Sequence, residues 1–262
     1  MISDPALELA QLCDALSQPS PDRGDTYLAK RFGVEKWSGE FFAIVAAITD
    51  RISQVDAILV SEGVSGRPLE TARQTFDSIR RAFARDAIVH AWKDTGAHCM
   101  TIPCHTLPGM SPIIARAHSY DIPTDVEQAE IVEQCKQLLD WLQTAQFNDR
   151  DFVRQCLIDG MKQFLFRVER IQWFGWGYSA TSLKEVLAGY LLLERGLDPI
   201  SNPQAGAALK MIGDFLKKVA VRTESAKGTV ETGQWLFDVV KVTWGVAAPA
   251  GAFIAGLLTD GT

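Results

Sequence analysis

The apolar positions along the chain recur mostly at intervals of three and four residues, the spacing of one face of an α-helix. The clearest stripe lies between Glu40 and Leu59, and similar stripes follow Pro68, Asp125 and Ala205. No segment alternates with a period of two for long enough to predict a strand. The pattern therefore predicts an all-α fold, a multi-helix bundle with a C-terminal apolar helix.

Side chains that can cap a helix precede several of these stripes. Asp4 followed by Pro5 places an acceptor at the N-cap and proline at the first helical position, where its missing N–H is tolerated. Thr124 and Glu127 have the spacing of a capping box, in which each side chain accepts from the other residue's backbone N–H. We therefore expect helices to begin near Pro5 and Asp125.

Four prolines, at positions 103, 108, 112 and 123, interrupt the helical pattern. Proline inside a helix removes a hydrogen bond and clashes with the preceding turn, so this segment is predicted to be a loop rich in Pro, Cys and His. The resulting division comprises an N-terminal helical region (1–95), the connecting loop (96–123), a second helical region (124–228) and the C-terminal apolar helix (229–262).

Charge and cysteine content narrow the class of protein. With 26 Lys and Arg against 32 Asp and Glu, the formal net charge is −6, which argues against binding to duplex nucleic acid. The five cysteines are odd in number and scattered, as is typical of reduced thiols inside a cell. The acidic start lacks the basic region of a secretory signal, so a cytoplasmic location is expected.

Two predicted helices nevertheless carry a basic side. Arginine presents a planar fork of donors that suits phosphate, so these faces are candidate sites for an anionic ligand such as a nucleotide or oligonucleotide. The alternative is an ordinary solvated helix surface. The candidate residues are Arg73, Arg80, Arg81, Arg85, Lys210, Lys217, Lys218 and Arg222.

The segment from His98 to His105 places two histidines and two cysteines close together. Zinc ligands are usually separated by about two to four residues, whereas here candidates are adjacent at each end and their side chains diverge. A Cys/His nucleophile pair is the other chemical alternative, but nothing indicates which histidine would activate which thiol. The sequence therefore favours loop histidines and buried thiols, and it predicts no metal and no cofactor.

Residues 175–180 formally match a dinucleotide-binding fingerprint, but they follow a helical pattern and not a strand. We expect a helix-to-helix turn in which glycine permits positive φ and Trp173, Phe174 and Trp176 fill the edge of a core. The chain contains no P-loop, no HExxH and no GxSxG motif. Catalysis is not indicated, and an enzyme with its site in the 94–123 segment is the third alternative.

The least polar stretch of the chain is 242–259, eighteen residues without a formal charge. As a helix at about 1.5 Å per residue it would be about 27 Å long, near the roughly 30 Å hydrocarbon thickness of a bilayer. Lys241 precedes it, and Trp235 and Trp244 lie toward the same end, which favours a cytoplasmic body. The residues expected in the membrane segment are Val242, Trp244, Val246, Ala248, Ala252, Phe253, Ile254, Gly256, Leu257 and Leu258.

Small residues four apart in this stretch, such as Ala247 with Gly251 and Ala252 with Gly256, allow helices to approach closely in lipid. Glycine, threonine and proline also weaken insertion of a single helix, so we expect insertion to be coupled to homo-oligomerisation. The alternative is a terminal helix buried against its own bundle, where small residues permit close packing as well.

The layout of a helical body followed by an apolar segment, here 235–258, resembles bacterial membrane-acting effectors of antiviral defence, of the Hailong effector type. The resemblance concerns architecture and assigns no residue a role. It implies a homo-oligomer, held inactive by a nucleotide-type ligand, that permeabilises the inner membrane on release. The expected function is an oligomeric pore- or channel-forming effector in contact with inner-membrane lipid. The alternative is a soluble all-helical binding or scaffold protein with a buried C-terminal helix.

Overall fold

The computed structural model describes residues 2–116, 118–145, 151–195 and 203–223. These residues are predominantly helical, which confirms the all-α, multi-helix prediction. The predicted C-terminal apolar helix, 229–262, lies outside the described residues.

The helices are numbered in chain order. The first half contains α1 (Pro5–Leu16), α2 (Gly24–Phe32), α3 (Gly39–Ser61), α4 (Gly66–Ala82), α5 (Arg85–Val89), α6 (Gly96–Thr106) and α7 (Ser111–Ile114). The second half contains α8 (Asp125–Thr144), α9 (Asp151–Val168), α10 (Ile171–Phe174), α11 (Trp176–Thr181), α12 (Leu183–Arg195) and α13 (Pro203–Thr223). The other elements are two short 3-10 helices, Trp92–Asp94 and Leu107–Met110, and a two-stranded sheet of β1 (Ile2–Ser3) and β2 (Tyr120–Asp121).

Contacts divide the described chain into two units. The N-terminal unit comprises 3–119 together with 170–178, and the second unit comprises residue 2, 120–169 and the described residues from 179 onward. The chain therefore returns to the N-terminal unit after leaving it. The division predicted from the sequence assigned continuous stretches to each region and did not include this return.

Helix α1 begins at a buried aspartate. The Asp4 carboxylate accepts hydrogen bonds from the backbone N–H groups of Ala6 (2.8 Å) and Leu7 (3.1 Å), and Pro5 follows it, as predicted. The Ser111 hydroxyl donates to the second carboxylate oxygen at 2.6 Å. Three donors thus satisfy a carboxylate that is only 1% exposed, which makes its burial tolerable.

Helix α3 supplies the longest apolar face of the N-terminal unit, and it packs against α1, α4 and α10. The predicted stripe is confirmed, because its large residues are almost fully buried and each contributes about 1.5–3 kcal/mol relative to exposure. The buried members are Phe41, Ile44, Ile48, Ile52, Val55 and Leu59.

Helix α2 did not emerge from the sequence pattern. It ends at Gly33, whose left-handed backbone (φ 67°, ψ 41°) allows its N–H to bond back to the Ala29 carbonyl. Tyr27 on this helix stacks on Trp92 with ring centroids 5.1 Å apart, and the Trp92 indole N–H donates to the Leu16 carbonyl at 2.9 Å. The helix is fixed by these contacts more than by its own short amphipathic pattern.

The segment predicted as a connecting loop, 96–123, is largely helical instead. Helix α6 continues through Pro103 and packs against α1 and α4, burying Ala97, Met100 and Pro103. Proline inside a helix costs about 3 kcal/mol, which the burial of this face offsets. Pro108 and Pro112 stand in the first turns of the helices that follow, where proline is favourable.

The second unit packs α9 against α12 through two glycines. A Cβ at Gly160 would lie 3.0 Å from Val186 Cγ2, and a Cβ at Gly189 would lie 2.8 Å from Leu157 Cδ2. Because glycine has only a hydrogen atom as its side chain, the two helices pack closer together than any other residue at these positions would allow.

Helix α8 of the same unit begins with the predicted capping box, which is confirmed by bonds of 2.8 and 3.4 Å between Thr124 and Glu127.

A buried ion pair holds the returning segment 170–178 within the N-terminal unit. Arg51 Nη2 on α3 lies 3.8 Å from Glu8 Oε2 on α1, and the two side chains are 3% and 7% exposed. Arg51 Nη1 donates to the Trp173 carbonyl at 2.7 Å, while the Trp176 N–H donates to Glu8 Oε1 at 2.7 Å. Both charges are thereby bonded to the backbone on either side of Gly175.

We expect Gly175→Ala to destabilise the protein more than Gly33→Ala. The Gly175 backbone (φ 76°, ψ 153°) lies where essentially only glycine occurs, and an added Cβ would overlap the Glu8 carboxylate and meet Arg51 Cζ at 3.0 Å. At Gly33, nothing lies within 4 Å of the added Cβ. Urea unfolding should show losses of about 3 kcal/mol or more at Gly175 and about 1 kcal/mol at Gly33. Equal losses would contradict the close packing described here.

Removing one member of the buried pair should cost more than neutralising both. Arg51→Met leaves the Glu8 charge buried without its partner, a loss of about 3–5 kcal/mol, and the double variant with Glu8→Gln should recover at least about 1 kcal/mol of it. Urea unfolding measures both. Lys30→Met is the control, because Lys30 forms an exposed pair with Asp22 at 2.8 Å and should cost about 0–1 kcal/mol. Strictly additive losses at Glu8 and Arg51 would disprove the coupling.

Candidate anion-binding site

Four of the five candidate arginines lie on α4 and at the start of α5, within the N-terminal unit. Their environments differ. An arginine that pairs with a carboxylate of the protein has fewer N–H donors left for a ligand than one without such a pair. The residues are Arg73, Arg80 and Arg81 on α4 and Arg85 on α5.

Arg73 is already used within the protein. Its Nε and Nη2 donate to the two carboxylate oxygens of Asp56 on α3 at 2.8 and 3.2 Å. These bonds raise the pKa of the Arg73 guanidinium above its usual value. A bidentate pair of this kind positions α4 on α3, so Arg73 serves the fold first.

Arg80 is half-buried and shared with a carboxylate on its own helix. Its Nη1 donates to Asp77 Oδ1 at 2.9 Å, and the two side chains are 39% and 64% exposed. Only one of its guanidinium nitrogens forms a hydrogen bond in the described residues, and a guanidinium has five N–H donors in all. Arg80 is therefore oriented and retains donors.

Arg80 and Arg81 line an open surface pocket of about 600 Å³. Its other lining residues are Gln74, Asp77 and Ala84, which follow the same side of α4 toward α5. Arg81 is exposed and forms no ion pair with any residue in the described ranges. The pocket thus combines one oriented guanidinium, one unpaired guanidinium, an amide and a carboxylate. Gln74 and Asp77 were not among the sequence candidates, although their spacing from Arg81 at seven and four residues places them on one helix face.

The remaining basic candidates do not form a comparable group where they are described. Arg85 is exposed and without an ion pair in the described chain, but it is not part of the pocket. Lys218 on α13 pairs with Glu130 on α8 at 3.1 Å, and Lys210 is exposed on α13. The side chains of Lys217 and Arg222 lie outside the described part of the structure.

The Cys/His segment lies on α6 and not in a loop. Cys104 donates from Sγ to the Thr101 carbonyl at 2.9 Å, and burial, with Asp14 adding to it, raises the pKa of its thiol. A raised pKa disfavours the thiolate, the nucleophilic form. Within the described ranges, no group of three or more His, Cys, Asp or Glu side chains is placed to hold a metal ion.

The predicted helix-to-helix turn lies at Gly175, and the rest of the 175–180 motif belongs to α11. Gly175, with φ 76°, separates α10 from α11, and Trp173, Phe174 and Trp176 are each 2% exposed or less. The structural interpretation of this motif is confirmed. Its backbone faces Glu8 and Arg51, so the turn is filled by the protein's own side chains.

The proposed membrane segment, from Val242 to Leu258, lies outside the described residues. Among the helices that the structure does describe, none has the length and apolarity needed to cross a bilayer.

Comparisons with known proteins add no relative. No protein-family model, no curated protein and no solved structure matches this chain.

Thiol reactivity should follow burial. Burial raises the pKa of Cys135 to about 12 and that of Cys13 well above its usual range, whereas Cys156 on α9 is exposed. At about pH 8, iodoacetamide should label Cys156 within minutes and leave Cys13 and Cys135 unmodified until urea unfolds the chain. Peptide mass spectrometry measures the order. Labelling of Cys13 as fast as Cys156 in the folded protein would contradict the packing of α1.

Proposed function

We propose that this protein is the subunit of an oligomeric, membrane-directed effector that forms pores or channels and responds to a nucleotide-type ligand. The observation that carries the proposal is the uncharged stretch 242–259, which is long enough to cross a bilayer as a helix. Its small residues four apart favour assembly of several copies in lipid. We include a role in bacterial antiviral defence in the proposal because the layout of the chain resembles that of membrane-acting defence effectors.

An exposed aromatic pair on the body supports contact with a membrane surface. Trp37 and Phe42 are 46% and 52% exposed, with ring centroids 5.9 Å apart. Trp37 also has a positive φ of 61°, which is uncommon for a bulky residue and keeps its ring in this position at some cost in backbone strain. The amphipathic indole ring of Trp37 suits the headgroup region of a bilayer, and Phe42 adds exposed apolar surface beside it.

Ligand control is supported by the pocket on α4. Arg81 is available to an anion there, and Arg80 is oriented beside it by Asp77. A ligand regulates an assembly only if it binds one state of the protein more tightly than the other. We propose that the ligand binds the inactive state and that its release permits membrane insertion.

Leakage from dye-loaded vesicles tests the membrane activity. The full chain, dialysed free of small molecules, should release dye from vesicles of phosphatidylethanolamine and phosphatidylglycerol. Ile254→Asp places a charge in the apolar stretch, costs about 2.5–3.5 kcal/mol on insertion, and should reduce leakage at least about tenfold. Val126→Asp is the matched control, because Val126 is 70% exposed on the body and its variant has the same change in charge.

The competing proposal is a soluble helical binding or scaffold protein with its C-terminal helix in its own core. It predicts no leakage from the unmodified chain, and a loss of thermal stability for Ile254→Asp that Val126→Asp does not share. Leakage that Ile254→Asp leaves unchanged would also disprove the membrane role of this stretch.

A further inference from the structure

We propose that the pocket on α4 binds a multiply charged phosphate group, with Arg81 as the principal contact and Arg80 as the second. This inference rests on the proposed function, because it names the chemical class of the controlling ligand and the residues that contact it. The shared chemistry is a phosphate or diphosphate group, carried either by a free nucleotide-type molecule or by an anionic lipid headgroup.

The pocket lining and the ion pairs together single out Arg81 among the described arginines of α4. Arg73 is committed to Asp56 by two hydrogen bonds on the side of α4 that faces α3. Arg81 is exposed, lines the pocket and has no ion pair within the described chain. An unpaired guanidinium gives up only bonds to water when an anion arrives, so its bidentate bonds to phosphate are not offset by a lost ion pair within the protein.

Arg80 contributes a second, oriented set of donors. The bond from its Nη1 to Asp77 fixes the side chain beside Arg81, and its other N–H groups remain for a ligand. Side chains that are held in place before binding lose less conformational entropy on binding. The Gln74 amide on the same pocket wall adds an uncharged donor within the lining.

The Asp77 carboxylate determines which anions the pocket prefers. Two guanidinium groups and one carboxylate give the lining a formal charge of +1. A monoanion is attracted weakly because Asp77 opposes it, whereas a diphosphate can bond to Arg81 and Arg80 together. We therefore expect inorganic pyrophosphate to bind more tightly than acetate or chloride.

Calorimetry with inorganic pyrophosphate, on the full chain at about 0.15 M salt to screen weak surface contacts, tests the site. Arg81→Gln should weaken binding about tenfold or more, the loss of a charge-assisted hydrogen-bond pair. Arg81→Lys keeps the charge but loses the planar fork, and it should weaken binding by a smaller factor of about three to ten. Asp77→Asn removes the opposing charge, while its amide oxygen can still accept from Arg80 Nη1, so this variant should bind pyrophosphate more tightly.

Arg67→Gln is the matched control, since Arg67 is exposed at the start of α4, outside the pocket, and its removal changes the charge of the same helix. It should change affinity by less than about twofold. Equal weakening by Arg67→Gln and Arg81→Gln, or no pyrophosphate binding by the unmodified chain at millimolar concentration, would overturn the proposal. Flotation with vesicles that contain phosphatidic acid, whose phosphomonoester can carry two negative charges, separates the two sources of phosphate. Competition by pyrophosphate identifies the lipid headgroup as the ligand, and its absence identifies a free molecule. Vesicle leakage by Ile254→Asp is measured independently, so failure of this site and failure of the membrane proposal are distinguishable.

Discussion

The buried ion pair between Glu8 and Arg51 is the constraint on which the N-terminal unit depends. Two opposite charges removed from water lose their hydration, and the backbone of the returning segment replaces part of it. The Trp173 carbonyl accepts from Arg51 Nη1 and the Trp176 N–H donates to Glu8 Oε1, while Arg51 Nη2 has no hydrogen-bond partner in the described structure. Residues 170–178 thus supply a bond to each charge, and Gly175 permits the turn between the two bonded backbone groups. The pair therefore joins three parts of the chain that are far apart in sequence.

Helix α3 has a second role on its outer side, and that role explains which arginines are available for binding. Arg51 points inward to Glu8, while Asp56 holds Arg73 of α4 at the surface. The basic face of α4 is thus not uniform. Arg73 fastens two helices together, Arg80 is aligned by a neighbouring carboxylate, and Arg81 lines the pocket without an ionic partner in the described structure.

In the proposed activity, the pocket on α4 controls a stretch of sequence that has different physical properties. The pocket on α4 is polar and exposed, whereas 242–259 is uncharged and small-residue rich. A ligand in the pocket can control membrane insertion of 242–259 only if the helical body has two states that differ in their affinity for that ligand. A difference of about 1.4 kcal/mol already changes the ratio of states tenfold, so even the contacts of a single guanidinium suffice to regulate an equilibrium that is near balance.

Local patterns were enough to predict the helical class, the start of α1 at Asp4, the capping box at Thr124 and the stripe of α3, because these features depend on residues close together along the chain. They also predicted the turn at Gly175 and the basic side of α4. Three-dimensional packing was needed to establish that α6 remains helical through Pro103, that 170–178 returns to the N-terminal unit, and that Arg81 rather than Arg73 is available. These outcomes depend on packing energies and ion pairs between residues distant in sequence, and local periodicity contains no information about which distant partner a side chain will meet.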